Sequence, residues 1–172
     1  MVLATDKLEF IMEGYRPPST NDCYIPTSRR TKCGPSKGAY LRKSGWLVEW
    51  QEKVTEMINS EFHYSKDELK EFVEDIKSTG KGMTIEIVVS MPKKTYGTHK
   101  LEGIDASNFI KAIEDSIHSN IGIDDRFNTD VIARKRYNED DKWIVKVTST
   151  KTDSCWMKDS IIDEGSKVYE FK

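Results

Sequence analysis

The chain has 172 residues, enough for one domain with its own core. Apolar residues make up 37% and charged residues 33%, and four Trp, seven Tyr and six Phe supply packing bulk, which excludes a disordered chain. The formal net charge of −2 selects no partner, and no apolar run is long enough to span a bilayer.

The start, MVLATDKLEFIME, carries acidic residues and no long apolar stretch, so no secretory signal is expected. Within it, Leu8 to Met12 reads as a short strand. It ends at GYRPPSTND, where Pro17 and Pro18 forbid continuation. A long basic loop is expected over about residues 19–44, because Gly, Pro, Ser and Arg follow one another there with no apolar period. No acidic residue falls between Cys23 and Val48, while Arg29, Arg30, Lys32, Lys37, Arg42 and Lys43 do. Such a segment suits phosphates, although a solvated basic loop has the same composition.

Trp46 to Phe62 has helical spacing of apolar residues. A second helix is expected from Ser65, since Ser65 with Glu68 fits a capping box, and Gly80 is its expected stop. Met83 to Met91 is β-branched and partly alternating, a strand that Pro92 ends. A second basic cluster follows: Lys93, Lys94 and Lys100, with His99.

Asn108 to Ser119 reads as a helix that packs Phe109, Ile110, Ile113 and Ile117 on one face and stacks Asn108, Lys111 and Asp115 on another. Asp105 is placed to cap that helix, and Gly122 permits a sharp exit into Asp124 and Asp125. Two strands, Val131 to Tyr137 and Trp143 to Thr150, are expected to form a hairpin through NEDDK. The order of elements predicts an α+β domain with helices packed on a small mixed or antiparallel sheet. One domain over residues 1–150 is expected, followed by a peripheral tail at 151–172.

The residues alone leave two readings of the acidic positions. Asp105 is a helix cap, Lys111 and Asp115 a surface pair, and Asp124 and Asp125 turn formers. Alternatively, Asp105 and Asp125 hold a metal ion, which requires the chain after Gly122 to turn back toward the helix start. His63, His99 and His118 lack a metal-ligand spacing and are expected at the surface. Cys23, Cys33 and Cys155 form no CxxC pair, which argues against a zinc site or disulfide scaffold and for a reducing cytosol. GKG at Gly80 to Gly82 lacks the rest of a phosphate-binding loop.

DASNFIKAIEDSI followed by GIDD resembles the RusA-type Holliday-junction resolvases. RPPSTND, SKGAYLRKSGWLVEWQEKV and IEIVVSMPKK resemble the early segment, the first long helix and the pre-catalytic strand of that family. The resemblance covers roughly Leu8 to Thr150, with the stretch from Ser65 to Lys77 as an insertion. It implies a RusA-like fold and a Mg2+-dependent homodimer, with Mn2+ as an alternative ion, that cuts four-way DNA junctions symmetrically in recombination and repair. It also implies the cytoplasm of a bacterial or phage-infected cell. By position, Asp105 and Asp125 match the catalytic, metal-holding aspartates, with Asp124 beside them. Lys111 matches the functional lysine, and Asn108 and Asp115 match supporting positions. Arg29, Arg30, Lys32, Lys37, Arg42, Lys43, Lys93, Lys94 and Lys100 would hold DNA. Ser107 departs from the family, which usually has a second aspartate there; its hydroxyl would be a weaker ligand. That departure keeps open a branched-DNA-binding protein that does not cut.

Overall fold

The computed structural model describes residues 5–28, 39–60, 64–92 and 105–152. Strand β1 (Lys7–Glu13) leads to a short helix α1 (Thr20–Cys23), strands β2 (Tyr24–Ser28) and β3 (Ala39–Lys43), and helices α2 (Gly45–Ser60) and α3 (Lys66–Thr79). Strand β4 (Gly82–Pro92), helix α4 (Ser107–Ile121), a 3-10 turn at Asp125–Phe127, and strands β5 (Asn128–Asn138) and β6 (Ile144–Thr152) complete it. The architecture is α+β, as expected.

The main sheet has the order β1-β6-β4-β5, with β6 antiparallel to both β1 and β4 and β5 parallel to β4. Alternation along the strands puts one set of side chains on the core face. Cross-strand rows run Leu8–Ser149–Ile85, Phe10–Val147–Ile87 and Met12–Val145–Val89, and each of these residues is buried. Phe72 and Ile76 of α3, Trp50 and Val54 of α2, and Phe109, Ile113 and Ile117 of α4 join the same core. Fully burying one such side chain is worth roughly 1.5–3 kcal/mol.

The sequence reading of β5 and β6 as a hairpin does not hold. β4 lies between them. The segment 139–143 therefore passes over the end of β4, a step of two inter-strand spacings that five residues span easily. β4, α4 and β5 instead form a parallel crossover, which needs a helix-length connection.

The expected loop over residues 19–44 also contains more order than its composition suggested. β2 and β3 pair as a separate antiparallel ribbon, from Tyr24 with Lys43 to Ser28 with Ala39. Residues 29–38, with Arg29, Arg30, Lys32 and Lys37, lie outside the described residues. The described side chains of the ribbon give no apolar period because they are not buried: Tyr24, Ile25 and Leu41 are all exposed.

Local signals in the helices behave as chemistry dictates. Ser65 Oγ accepts from the Glu68 N–H at 3.2 Å while the Ser65 N–H donates to Glu68 Oε2 at 2.6 Å, a complete capping box. Gly80 ends α3 in the left-handed conformation. No helix among the described residues is long and apolar enough to cross a membrane.

Candidate active site

Helix α4 is the centre of the site and is held from several sides. It packs on α1, α2, α3 and β4. The early Pro-Pro segment supports its start: Pro17 and Pro18 are buried, and Thr20 Oγ1 donates to the Asn108 carbonyl at 2.9 Å. Phe109 stacks edge-on against Trp143, at 6.1 Å between ring centroids.

Asp105 is not the cap that the sequence suggested. The N-cap position is Ala106, with no side-chain cap, and the first amides use carbonyls three residues back: Asn108 N–H to Asp105 O at 3.1 Å and Phe109 N–H to Ala106 O at 3.3 Å. This tightened turn leaves the Asp105 side chain exposed just ahead of the helix. Ser107, also exposed, is the first helical residue.

The other end of α4 turns back sharply. Gly122 has φ +76°, which an L side chain rarely adopts, and the N–H groups of Gly122 and Ile123 both donate to His118 O, at 2.9 and 3.2 Å. Ile123 is buried and anchors the reversal. Asp124 Oδ1 then accepts from the Arg126 N–H at 3.0 Å, which starts the 3-10 turn that carries Asp125. Asp124 is therefore a turn former, as one reading held.

The reversal delivers Asp125 to the flank of α4. Lys111 Nζ donates to Asp125 Oδ2 at 2.7 Å and pairs with Asp115 Oδ1 at 2.8 Å, and Glu114 Oε2 is 3.8 Å away. One carboxylate oxygen from each of Glu114, Asp115 and Asp125 lies within 4.8 Å of the other two. Asp105 and Asp124 stand outside that trio. The hydrogen bond from Lys111 holds the Asp125 carboxyl below the usual carboxylate range. The bonds to Asp115 and then Asp125 raise the Lys111 ammonium above its ordinary value. Glu114 is pushed up, chiefly by burial, against the pull of Lys111 and a 2.5 Å hydrogen bond from Asn128 Nδ2.

A groove of about 870 Å3 opens beside this cluster, lined by Asp115, His118, Asp124 and Asp125 on one side and by Lys43, Gln51 and Glu52 among others. Lys43 Nζ donates to Gln51 Oε1 at 2.8 Å, so one basic residue from the predicted DNA-holding set stands at the groove. Arg42 is exposed on β3. Lys93, Lys94 and Lys100 lie outside the described residues.

Two residues of the site were not singled out as site residues from the sequence. Glu114 is Lys111 plus three. His118 is Asp115 plus three, and it is buried rather than at the surface as expected, because α4 presses that stripe toward the neighbouring helices. The signal was present: Lys111, Glu114, Asp115 and His118 fall at i, i+3, i+4 and i+7, one helix face. His63 and His99 lie outside the described residues.

Glu114, Asp115 and Asp125 together make a carboxylate set that could hold a divalent cation, with the Lys111 ammonium bonded to two of them. The carboxylates outnumber the ammonium, so net negative charge remains for one. The family model described as Endodeoxyribonuclease RusA matches residues 24–155, most of the chain. Among curated proteins, none matches.

Proposed function

Because the chain belongs to the RusA family of endodeoxyribonucleases, we propose that it resolves four-way DNA junctions by metal-dependent hydrolysis of paired phosphodiesters. The observation that carries this reading is the return of Asp125 to the flank of α4, onto Lys111 at 2.7 Å. Asp105 and Asp125 would hold Mg2+, or Mn2+ in its place, with Asp124 and Ser107 in support. Such an ion, when bound, polarises the phosphate and makes hydroxide available near neutral pH.

The chain's own residues do the rest. Lys111 stays charged across the working pH range and stabilises negative charge on the reacting phosphate or leaving oxygen. Its contact with Asp115 fixes where that charge sits. Asn108 and Asp115 support the helix face. The groove itself is acidic, with Glu52, Glu56, Asp115, Asp124 and Asp125 against Lys43. A phosphate therefore needs a bridging cation there, and affinity for the duplex arms must come from elsewhere. Lys43, Arg42 and the basic segments at Arg29 to Lys37 and Lys93 to Lys100 suit that task, gripping phosphates without reading bases. In a homodimer with two-fold symmetry, two sites face opposed strands of a junction. Residues 1–150, together with Lys151 and Thr152 that finish β6, would act as one nuclease domain, with residues 153–172 peripheral to it.

Ser107 favours a second reading, a branched-DNA-binding protein that does not cut. A labelled four-way junction, incubated with and without Mg2+ and run on native and denaturing gels, separates the two. Paired nicks with Mg2+ support the nuclease. A salt-sensitive complex with no product under Mg2+ or Mn2+ supports the binder.

A further inference from the structure

We propose that one face of the β2–β3 ribbon, with Leu41 at its centre and Tyr24 and Pro26 beside it, is an apolar wedge that enters a DNA junction at the branch point and rests against bases there. This deepens the junction reading above and rests on it.

Leu41 is 69% exposed, the most exposed large apolar side chain among the described residues. Across the ribbon Pro26 pairs with Leu41 and Tyr24 with Lys43. Paired residues share a face, and so do residues two apart along a strand, so Tyr24, Pro26, Leu41 and Lys43 stand on one side. All four are exposed. Scattered exposed apolar residues need no explanation, but adjoining ones on one face mark a contact surface.

Charge sets the partner. No acidic residue falls between Cys23 and Val48, and Arg42 and Lys43 follow Leu41 directly. Such a ribbon suits a polyanion: its cations take phosphates, while apolar side chains, which gain nothing from a phosphate, are left for bases. Apolar side chains inserted between base steps unstack and bend DNA. Opening base pairs costs least where pairing is already interrupted, and a branch point is such a place.

The ribbon is held where a wedge is needed. The Ser44 N–H closes its root by donating to the Cys23 carbonyl at 2.8 Å, and both residues are buried. Ser44 Oγ accepts from the Leu47 N–H at 3.1 Å in the first turn of α2. On the other side α1, which runs into β2, packs on α4. Lys43, on the same face as Leu41, lines the groove with Asp115 and Asp125, and the exposed Val48 lines it too. The apolar face thus adjoins the candidate active site, which places an opened branch point beside the phosphates to be cut.

The test uses the full chain and a four-way junction that carries 2-aminopurine, a base analogue that brightens when unstacked, at the branch point or within an arm. Fluorescence is read by stopped flow before cleavage. The wild type is expected to raise the branch-point signal and leave the arm signal unchanged. Leu41→Ser should remove most of that rise and slow single-turnover cleavage of a fully paired junction by about tenfold, the scale of one unstacked step. It should cut a junction with unpaired nucleotides at the branch point at the wild-type rate, because nothing there remains to be opened. Tyr24→Ser should act in the same direction, whereas Arg42→Ala should weaken binding to junction and plain duplex alike. Leu41 is too exposed for its loss to unfold the chain. No branch-point rise with the wild type, or equal signals and rates from the wild type and Leu41→Ser, overturns the wedge and leaves junction cutting standing. Sedimentation in which Leu41→Ser breaks a dimer, with the paired and unpaired junctions affected equally, assigns the face to a second copy and also overturns the wedge. A wild type that neither binds nor cuts the junction overturns the junction reading itself, and the wedge with it.

Discussion

Lys111 and Asp125, fourteen residues apart in sequence, meet at 2.7 Å. The helix that carries Lys111 and the glycine-led reversal that returns Asp125 make one unit out of two ends of a single motif. If Lys111 stabilises charge on the reacting phosphate, Lys111→Met should lower the single-turnover cleavage rate by roughly 10²–10³, or about 2.7–4 kcal/mol. Junction binding at moderate salt should change little, because one ammonium already paired with two carboxylates adds little to phosphate grip. Single-turnover cleavage and gel-shift titration together check the split.

Gly122 sets the angle of that return. At φ +76° an alanine is strained, and nothing lies within 4 Å of where its Cβ would sit, so the cost is conformational and not steric crowding. Gly122→Ala should lose about 1 kcal/mol in a urea melt. Cleavage should fall further than stability, because Asp125 is displaced from Lys111.

Ser107 tests the two functional readings against each other. It opens α4 on the exposed side, where an aspartate fits and its charge suits the positive helix end. Ser107→Asp should raise Mg2+-dependent cleavage if the wild-type site is short of a carboxylate. No cutting by either protein, with binding intact, supports the non-catalytic binder.

Away from the site, Lys151 supplies a pH probe of the fold. Its side chain is 2% exposed, with Nζ 2.8 Å from Asp75 Oδ2 and 5.1 Å from the Phe72 ring centroid. The Lys151 contact lowers the Asp75 pKa. A depressed carboxylate stabilises the fold above its unfolded value of about 3.9, and that contribution disappears as pH falls through the lowered folded value. Asp75→Asn should therefore melt at a lower temperature at neutral pH, since it strands a buried ammonium, and should show less additional loss on acidification. Thermal melts across the acid range check both.

The fold was legible where burial imposes a period. β1, β4 and the apolar face of α4 each present one side to the core, and the capping box and Gly80 mark α3 by local chemistry alone. The β2–β3 ribbon was not legible because its described apolar side chains, Tyr24, Ile25 and Leu41, are exposed and so impose no period. The place of β6 between β1 and β4 was not legible either, since strand order depends on pairing across the chain and a short polar link looks the same in a hairpin. In the site, Lys111 and Asp115 were readable from helical spacing. The meeting of Asp125 with Lys111 needed the direction of the chain after Gly122. His118 escaped because burial by neighbouring helices, which spacing does not encode, turns a surface histidine into an unmet donor.

The central claim is that the carboxylate returned to α4 is the working end of a DNA nuclease. Its most direct test is single-turnover cleavage of a labelled four-way junction in Mg2+ by the wild type, Asp125→Asn and Asp105→Asn. The account predicts paired nicks by the wild type and none by either variant, with all three binding the junction comparably at moderate salt. Cleavage by both variants at the wild-type rate would contradict it.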